Sequence, residues 1–309
     1  MGLECCSSTI RNSANLTSND MSLVKRNMYN ARRKLMPPVP TSRSEVISSL
    51  IQMAPKTIRV ESFLILSDLD IEIIIYSCIT NLKYLCISET LYVDGTFHYC
   101  VKFFYQLFTF HRYFNGHYIP LVFCLLKDKK QETYINCFKS ICEKCLELNV
   151  VLSPTEIVVD YELAIHNACK QIWPNVSLVG CRFHLSQSWW RAIQNFGLSV
   201  EYKSESEISK WLCLCFGLLF LSPENVPGVF VFTLEAIMPS DQRVIKFSDY
   251  LVDNYISDDT TFLPHLWANQ SANLNQTTNA CESFHSHLKD SFYKSHPNDH
   301  IFSKVLIEF

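Results

Sequence analysis

The sequence carries no excess of positive charge. Its 309 residues hold 27 Lys and Arg against 30 Asp and Glu, a formal net charge of −3. A protein that coats nucleic acid through a general positive field carries more cations than this. Any DNA binding must therefore use local patches or a partner's help. Long apolar runs are also missing. The most hydrophobic stretch, residues 211–221, is too short to span a bilayer. The start, MGLECCSSTI, lacks the apolar core of a signal peptide. Gly2 is present, but Cys6 stands where the myristoylation pattern needs Ser or Thr. No internal repeat is visible. These absences lead to the expectation of a soluble, intracellular chain with no membrane partner.

What is present is globular in kind. Hydrophobic residues make up 48% of the chain, enough for one large domain or two smaller ones with a substantial core. The 14 cysteines fall at irregular spacings. In a chain of this length without a secretory leader they read as reduced thiols rather than a disulfide framework.

Residues 1–20 are rich in Ser, Asn and Thr and read as a disordered N-terminus. Residues 21–84 read as a helical and basic region. Within it VKRNMYNARRKL (24–35) is either a DNA-contacting segment or a solvated helix, and the second reading is favoured. The apolar run IEIIIYSCI (71–79) fits a strand or a turn of buried helix. From residue 90 the pattern sharpens. TLYVDGTF (90–97), VKFFYQLFTFHR (101–112) and HYIPLVFCLL (117–126) read as three antiparallel strands, with Asn115-Gly116 as a hairpin turn and Pro120 marking a break, a bulge or an edge. Residues 131–148 place Tyr134, Phe138, Ile141, Cys145 and Leu148 at helical spacing.

The stretch 157–194 organises the rest. Ile157, Val158 and Val159 form a short apolar strand that ends on Asp160, and a parallel crossover from the preceding strand is expected to deliver it. A second short strand, 176–181, leads into Cys181-x-x-His184. The order β-β-β-α-β-α-β-α defines an α/β fold with a ribonuclease H-like core: three antiparallel strands, then parallel strands, with flanking helices. In that topology the first and fourth strands are neighbours, so Asp94 and Asp160 can face one another. The core's first part is read as 85–198, a mostly helical insertion as 199–274, and the core's last helix as 275–309, where Phe284, Leu288 and Phe292 form a stripe that leaves Glu282 off the core face.

Carboxylates on two adjacent strands and a flanking helix can hold two Mg²⁺ or Mn²⁺ ions over a phosphodiester. Asp94, Asp160 and Glu282 fit that description. Each also has a local explanation. Asp94 precedes Gly95 as a turn residue would, Asp160 is placed as an N-cap, and Asn279 with Glu282 has capping-box spacing. Zinc is not expected. Cys142-x-x-Cys145 and Cys213-x-Cys215 read as helix faces with buried thiols, and Cys181 with His184 as support beside the site. Trp189 and Trp190 read as helix packing rather than base stacking.

The segments LYVDGTF (91–97), IVVDYELAIHNACKQIWP (157–174), GCRFHLSQSWWRAIQNFGL (180–198) and TTNACESFHSHLK (277–289) resemble the MULE, or Mutator-like, transposase domain. The resemblance spans roughly residues 85–295. It implies an Asp-Asp-Glu triad of Asp94, Asp160 and Glu282 that also supplies the metal ligands, and a Cys-x-x-His motif at Cys181 and His184. It further implies Mg²⁺-dependent hydrolysis at transposon ends and strand transfer, with DNA as partner, a nuclear location, and homo-oligomerisation left open. The competing expectation is a derivative that binds DNA or protein without cutting. It is motivated by the negative charge and by the lack of an evident zinc-type DNA-binding module.

Overall fold

Asn115 and Gly116 both adopt positive φ, 49° and 83°. This is the two-residue turn whose twist suits a tight hairpin. It joins β4 (Gln106–Phe114) to β5 (His117–Leu126), the longest pair in a seven-stranded sheet. The computed structural model describes residues 18–35, 40–97, 99–269, 284, 287–292 and 295–308. The chain divides into two units, Met1–Thr41 and Ser42–Phe309. In the first, the described element is the helix α1 (Ser18–Leu35), which carries Lys25, Arg26, Arg32, Arg33 and Lys34. The expected disorder of the N-terminal residues falls, up to residue 17, outside the described part.

The second unit contains the sheet. Its other strands are β1 (Leu64–Asp68), β2 (Ile73–Tyr76), β3 (Thr90–Thr96), β6 (Glu156–Val159) and β7 (Ser177–Gly180). The spatial order is β1-β2-β5-β4-β3-β6-β7. β3, β4 and β5 form an antiparallel meander, and β6 and β7 continue it in parallel on the β3 side. The crossover from β5 to β6 passes over β4 and β3, so β6 pairs with β3 and not with the strand that precedes it in sequence. The run at residues 71–79 supplies β2, a fully buried strand against β5.

Two local expectations shift. β4 begins at Gln106 rather than at residue 101, because Phe103 turns into the left-handed region at φ 76° and breaks the extended run. Pro120 faces His111 where the register slips between Phe110 and His111. The bulge frees the carbonyl of Leu121, which accepts a hydrogen bond from the Ser77 hydroxyl at 2.8 Å.

Both faces of the sheet are covered, which is why the short strands are apolar throughout. One face packs on α4 (Gln131–Glu147) and α5 (Leu163–Ile172), where Tyr134, Phe138, Ile141 and Cys145 meet Phe108, Phe110, Ile157 and Val159. The other face packs Tyr76, Leu107 and Phe123 on α2 (Arg43–Met53), on the stripe Phe284, Leu288 and Phe292, and on Phe302 of the helix Asp299–Glu308. Further along this second face, Tyr92 and Val158 meet Cys181.

After β7 comes α6 (Arg182–Asn195), and the elements between Ser199 and Trp267 are helical. They include two π-helical turns, Phe230–Leu234 and Val252–Ile256. Their core gathers Trp211, Phe230, Phe247 and Trp267 around Leu185, Trp189 and Ile193 of α6. Cys145 and Cys215 are buried and Cys142 is half-buried, but Cys213 is exposed, so the expectation of a buried thiol fails there: position 213 falls on the outer face of its helix. Among the described residues, no helix is long and apolar enough to cross a membrane.

Candidate active site

The register of β3 against β6 sets the site. Thr90, Leu91 and Tyr92 face Glu156, Ile157 and Val158. Continued two residues, the same offset places Asp94 level with Asp160. Asp94 lies within β3, and Asp160 follows the last residue of β6. Both thus lie towards the carboxyl ends of neighbouring parallel strands, where open α/β sheets form their ligand crevice.

The two local explanations for these residues do not hold. Asp94 and Gly95 both pair with β4, so no turn occurs there. The helix after Asp160 starts at Leu163 with Glu162 at the N-cap position and no side-chain cap bond. Tyr161 forms a bend and Glu162 is extended, so Asp160 does not cap the helix. Glu282 lies outside the described residues, as does Asn279 with its capping-box spacing.

The two aspartates are held differently. The Asp94 side chain is only 5% exposed, and its Oδ1 accepts from the Gly95 amide at 2.8 Å. Its backbone carbonyl accepts from the Thr109 hydroxyl, which contacts buried His111 Nε2 at 2.8 Å. The Asp160 side chain is 43% exposed, with Oδ1 accepting from the Tyr161 amide at 2.6 Å. The Asp160 carbonyl lies 2.7 Å from His166 Nε2, which must donate because a carbonyl can only accept. Burial pushes the His166 pKa below its ordinary value and keeps the ring neutral.

His184 sits between the two acids. Its Nε2 lies 3.9 Å from Asp94 Oδ1 and its Nδ1 3.6 Å from Asp160 Oδ1. Helix α6 supplies it one turn after Cys181, whose buried side chain packs on Tyr92 and Val158 and whose amide donates to the Val159 carbonyl. The Cys-x-x-His pair thus does two jobs, with the thiol anchoring the helix start on the sheet and the imidazole reaching the carboxylates. Trp189 on the opposite side of α6 is fully buried, while Trp190 packs at half depth on Tyr202.

Asp94, Asp160 and His184 line a cavity of about 390 Å³. Three further charged groups line it that the sequence did not single out: Lys129, Glu162 and Arg191. Lys129 Nζ binds Glu162 Oε2 at 2.8 Å and lies over the Phe97 ring at 4.4 Å. Glu162 Oε1 accepts from the Tyr134 hydroxyl at 3.1 Å, and Gln106 donates to that hydroxyl at 2.8 Å. The proximity of Glu162 to Asp160 in sequence was the available signal. Lys129 and Arg191 come from other elements and had none. Among the described residues, no group of three or more His, Cys, Asp or Glu side chains is arranged to hold a metal ion.

Tyr161 forms the wall behind Asp160. Its side chain is half-buried with the hydroxyl enclosed, and this burial raises the hydroxyl pKa well above the ordinary value, so it stays protonated. Gly180, at the end of β7, leaves the space for it: a Cβ there would collide with the Tyr161 hydroxyl and ring. Gly180→Ala is therefore expected to destabilise the protein by about 2–3 kcal/mol, the upper part of the overpacking range, because the ring has nowhere to retreat. Chemical denaturation would show it. A cost below about 0.5 kcal/mol would mean that Tyr161 moves freely.

An α/β sheet with two carboxylates and a histidine converging at the ends of parallel strands defines the class of the molecule. Residues 90–188 match the family model of the MULE transposase domain, so over that segment the chain is similar to this family. The match takes in Asp94, Asp160, Cys181 and His184. It stops within α6, short of Arg191 and of the segment that carries Glu282. No curated protein matches the chain. Transposase domains act on DNA, and that sets the general class of partner.

Proposed function

We propose that this chain is a DNA transposase core that hydrolyses phosphodiesters at transposon ends and transfers the freed strand. The observation that carries the reading is the meeting of Asp94 and Asp160 across neighbouring parallel strands, with His184 between them. The strand order β5-β4-β3-β6-β7 supports a ribonuclease H-like arrangement, with β2 and β1 added beyond β5. Glu282 is proposed as the third acid. Phe284, two residues further on, packs against His111 at 5.3 Å, on the sheet face that Asp94 shares.

The donors suit Mg²⁺ or Mn²⁺, which favour carboxylate oxygen over thiolate or imidazole. Asp94, Asp160 and Glu282 would hold two such ions, which supply activation of the attacking oxygen and charge stabilisation at the leaving one. The protein's own part is positional. The Gly95 and Tyr161 amides each hold Oδ1 of one aspartate and so orient both carboxylates. Glu162 is tied to Lys129 and Tyr134, which keeps it off the ions. A nuclear location is part of the same proposal, because it would bring the protein to its DNA substrate.

Wild-type protein is expected to nick supercoiled DNA in Mg²⁺ or Mn²⁺ and to lose all nicking in EDTA, recovering it when metal is restored. Nicking that persists in EDTA, or its absence with every DNA and metal supplied, overturns the proposal.

A further inference from the structure

The charges that line the cavity do not cancel. Asp94, Asp160 and Glu162 face Lys129 and Arg191. Lys129 is spent on Glu162, at 2.8 Å. Arg191 is exposed, and its guanidinium donates to Gln187 Oε1 at 3.2 Å, a neutral partner one turn back on the same helix. No carboxylate among the described residues forms an ion pair with it. The cavity is therefore bipolar, with two aspartates at one end and a free guanidinium at the other.

Helix geometry sets the distance between the ends. His184, Ser188 and Arg191 fall on one face of α6 at i, i+4 and i+7, while Leu185, Trp189, Ala192 and Ile193 are buried on the other. Seven residues of helix rise about 10.5 Å. One phosphodiester cannot lie between the aspartates and also reach that far. A strand can, since its backbone carries a further phosphate at every nucleotide. Guanidinium is the cation best shaped for a phosphate, with planar donors that match two oxygens.

We infer that Arg191 holds a nearby backbone phosphate on the DNA strand whose phosphodiester lies at Asp94 and Asp160, so that α6 lines up the strand across the cavity. Gln187 aims the guanidinium, and Ser188 lies between the two points as a further donor. The inference rests on the transposase reading for the identity of the ligand, and it adds a contact outside the segment matched to the family.

The test is equilibrium binding of the full chain to a fluorescein-labelled DNA duplex of mixed sequence, across a salt series in excess EDTA, where no strand is cut. Arg191→Ala is expected to weaken binding about five- to tenfold at moderate salt and to lower the slope of log K against log salt by about one, the signature of a single lost phosphate contact. Arg191→Lys should restore the slope but only part of the affinity. Lys210→Ala removes an exposed charge outside the cavity lining and serves as the control, with the slope unchanged. If Arg191→Ala behaves like Lys210→Ala while both keep the wild-type melting temperature, or if wild type does not bind the duplex, the inference is overturned. A wild type that binds through Arg191 yet never cuts DNA sinks the catalytic reading and leaves this contact standing.

Discussion

Asp160→Asn is expected to remove metal-dependent DNA nicking by about a thousandfold or more, at least about 4 kcal/mol of transition-state stabilisation. Stability should barely change. The side chain is 43% exposed, and its bonded atom, Oδ1, accepts from the Tyr161 amide at 2.6 Å. An asparagine carbonyl can accept the same bond, and the new amide nitrogen can turn to water. The cost to folding should stay within about 0.5 kcal/mol, as for ordinary surface changes. The substitution therefore separates charge from shape: the geometry of the β6 end survives and the anionic ligand is lost. Residual nicking above about a tenth of wild type, in protein with an unchanged unfolding midpoint, would show that Asp160 is no ligand.

Trp189→Ala has the opposite profile, with a stability cost of about 3–5 kcal/mol, as for large aromatic truncations in a core. Trp189 has no exposed surface and packs its ring against Phe216, Tyr255 and Trp267 at centroid distances of 5.5, 5.8 and 5.8 Å. Those partners come from three separate pieces of the helical segment, so the cavity cannot be closed by moving one neighbour. Its indole Nε1 is buried with no hydrogen-bond partner among the described residues. Trp189→Phe gives up area but also removes that stranded donor, and its cost should fall below about 1.5 kcal/mol. Urea unfolding measures both. An alanine variant within 1 kcal/mol of wild type would show that this core is loose.

The sequence was most readable where the signal was local. The Asn115-Gly116 turn, the apolar stripe of α4 and the strand ending at Asp160 depend on neighbours in the chain, and the structure places elements at all three. β2 was ambiguous because four buried apolar residues suit a strand or a helix turn equally well. The π-helical turns after Val229 and Leu251 have no local sequence mark. At the candidate site, Asp94 and Asp160 could be named because each ends or interrupts an apolar strand. Lys129 and Arg191 could not, since nothing around them in sequence says that a loop after β5 and a helix after β7 share one cavity.

The pairing of β3 with β6 also carries a consequence for how the chain assembles. Thr90 and Glu156 are partners 66 residues apart. Until residue 156 is available, the meander β3-β4-β5 can form alone, and it then presents Leu91, Tyr92 and Val93 along an open edge. Such an edge templates pairing with other chains. β6 is thus a cover as well as a scaffold, and the cleft arises in the same event that removes the edge. A chain that stalls or is cut between β5 and β6 does not merely lack two of its three proposed acids. It is left with a sticky border, so loss of the site and self-association are two outcomes of one missing strand.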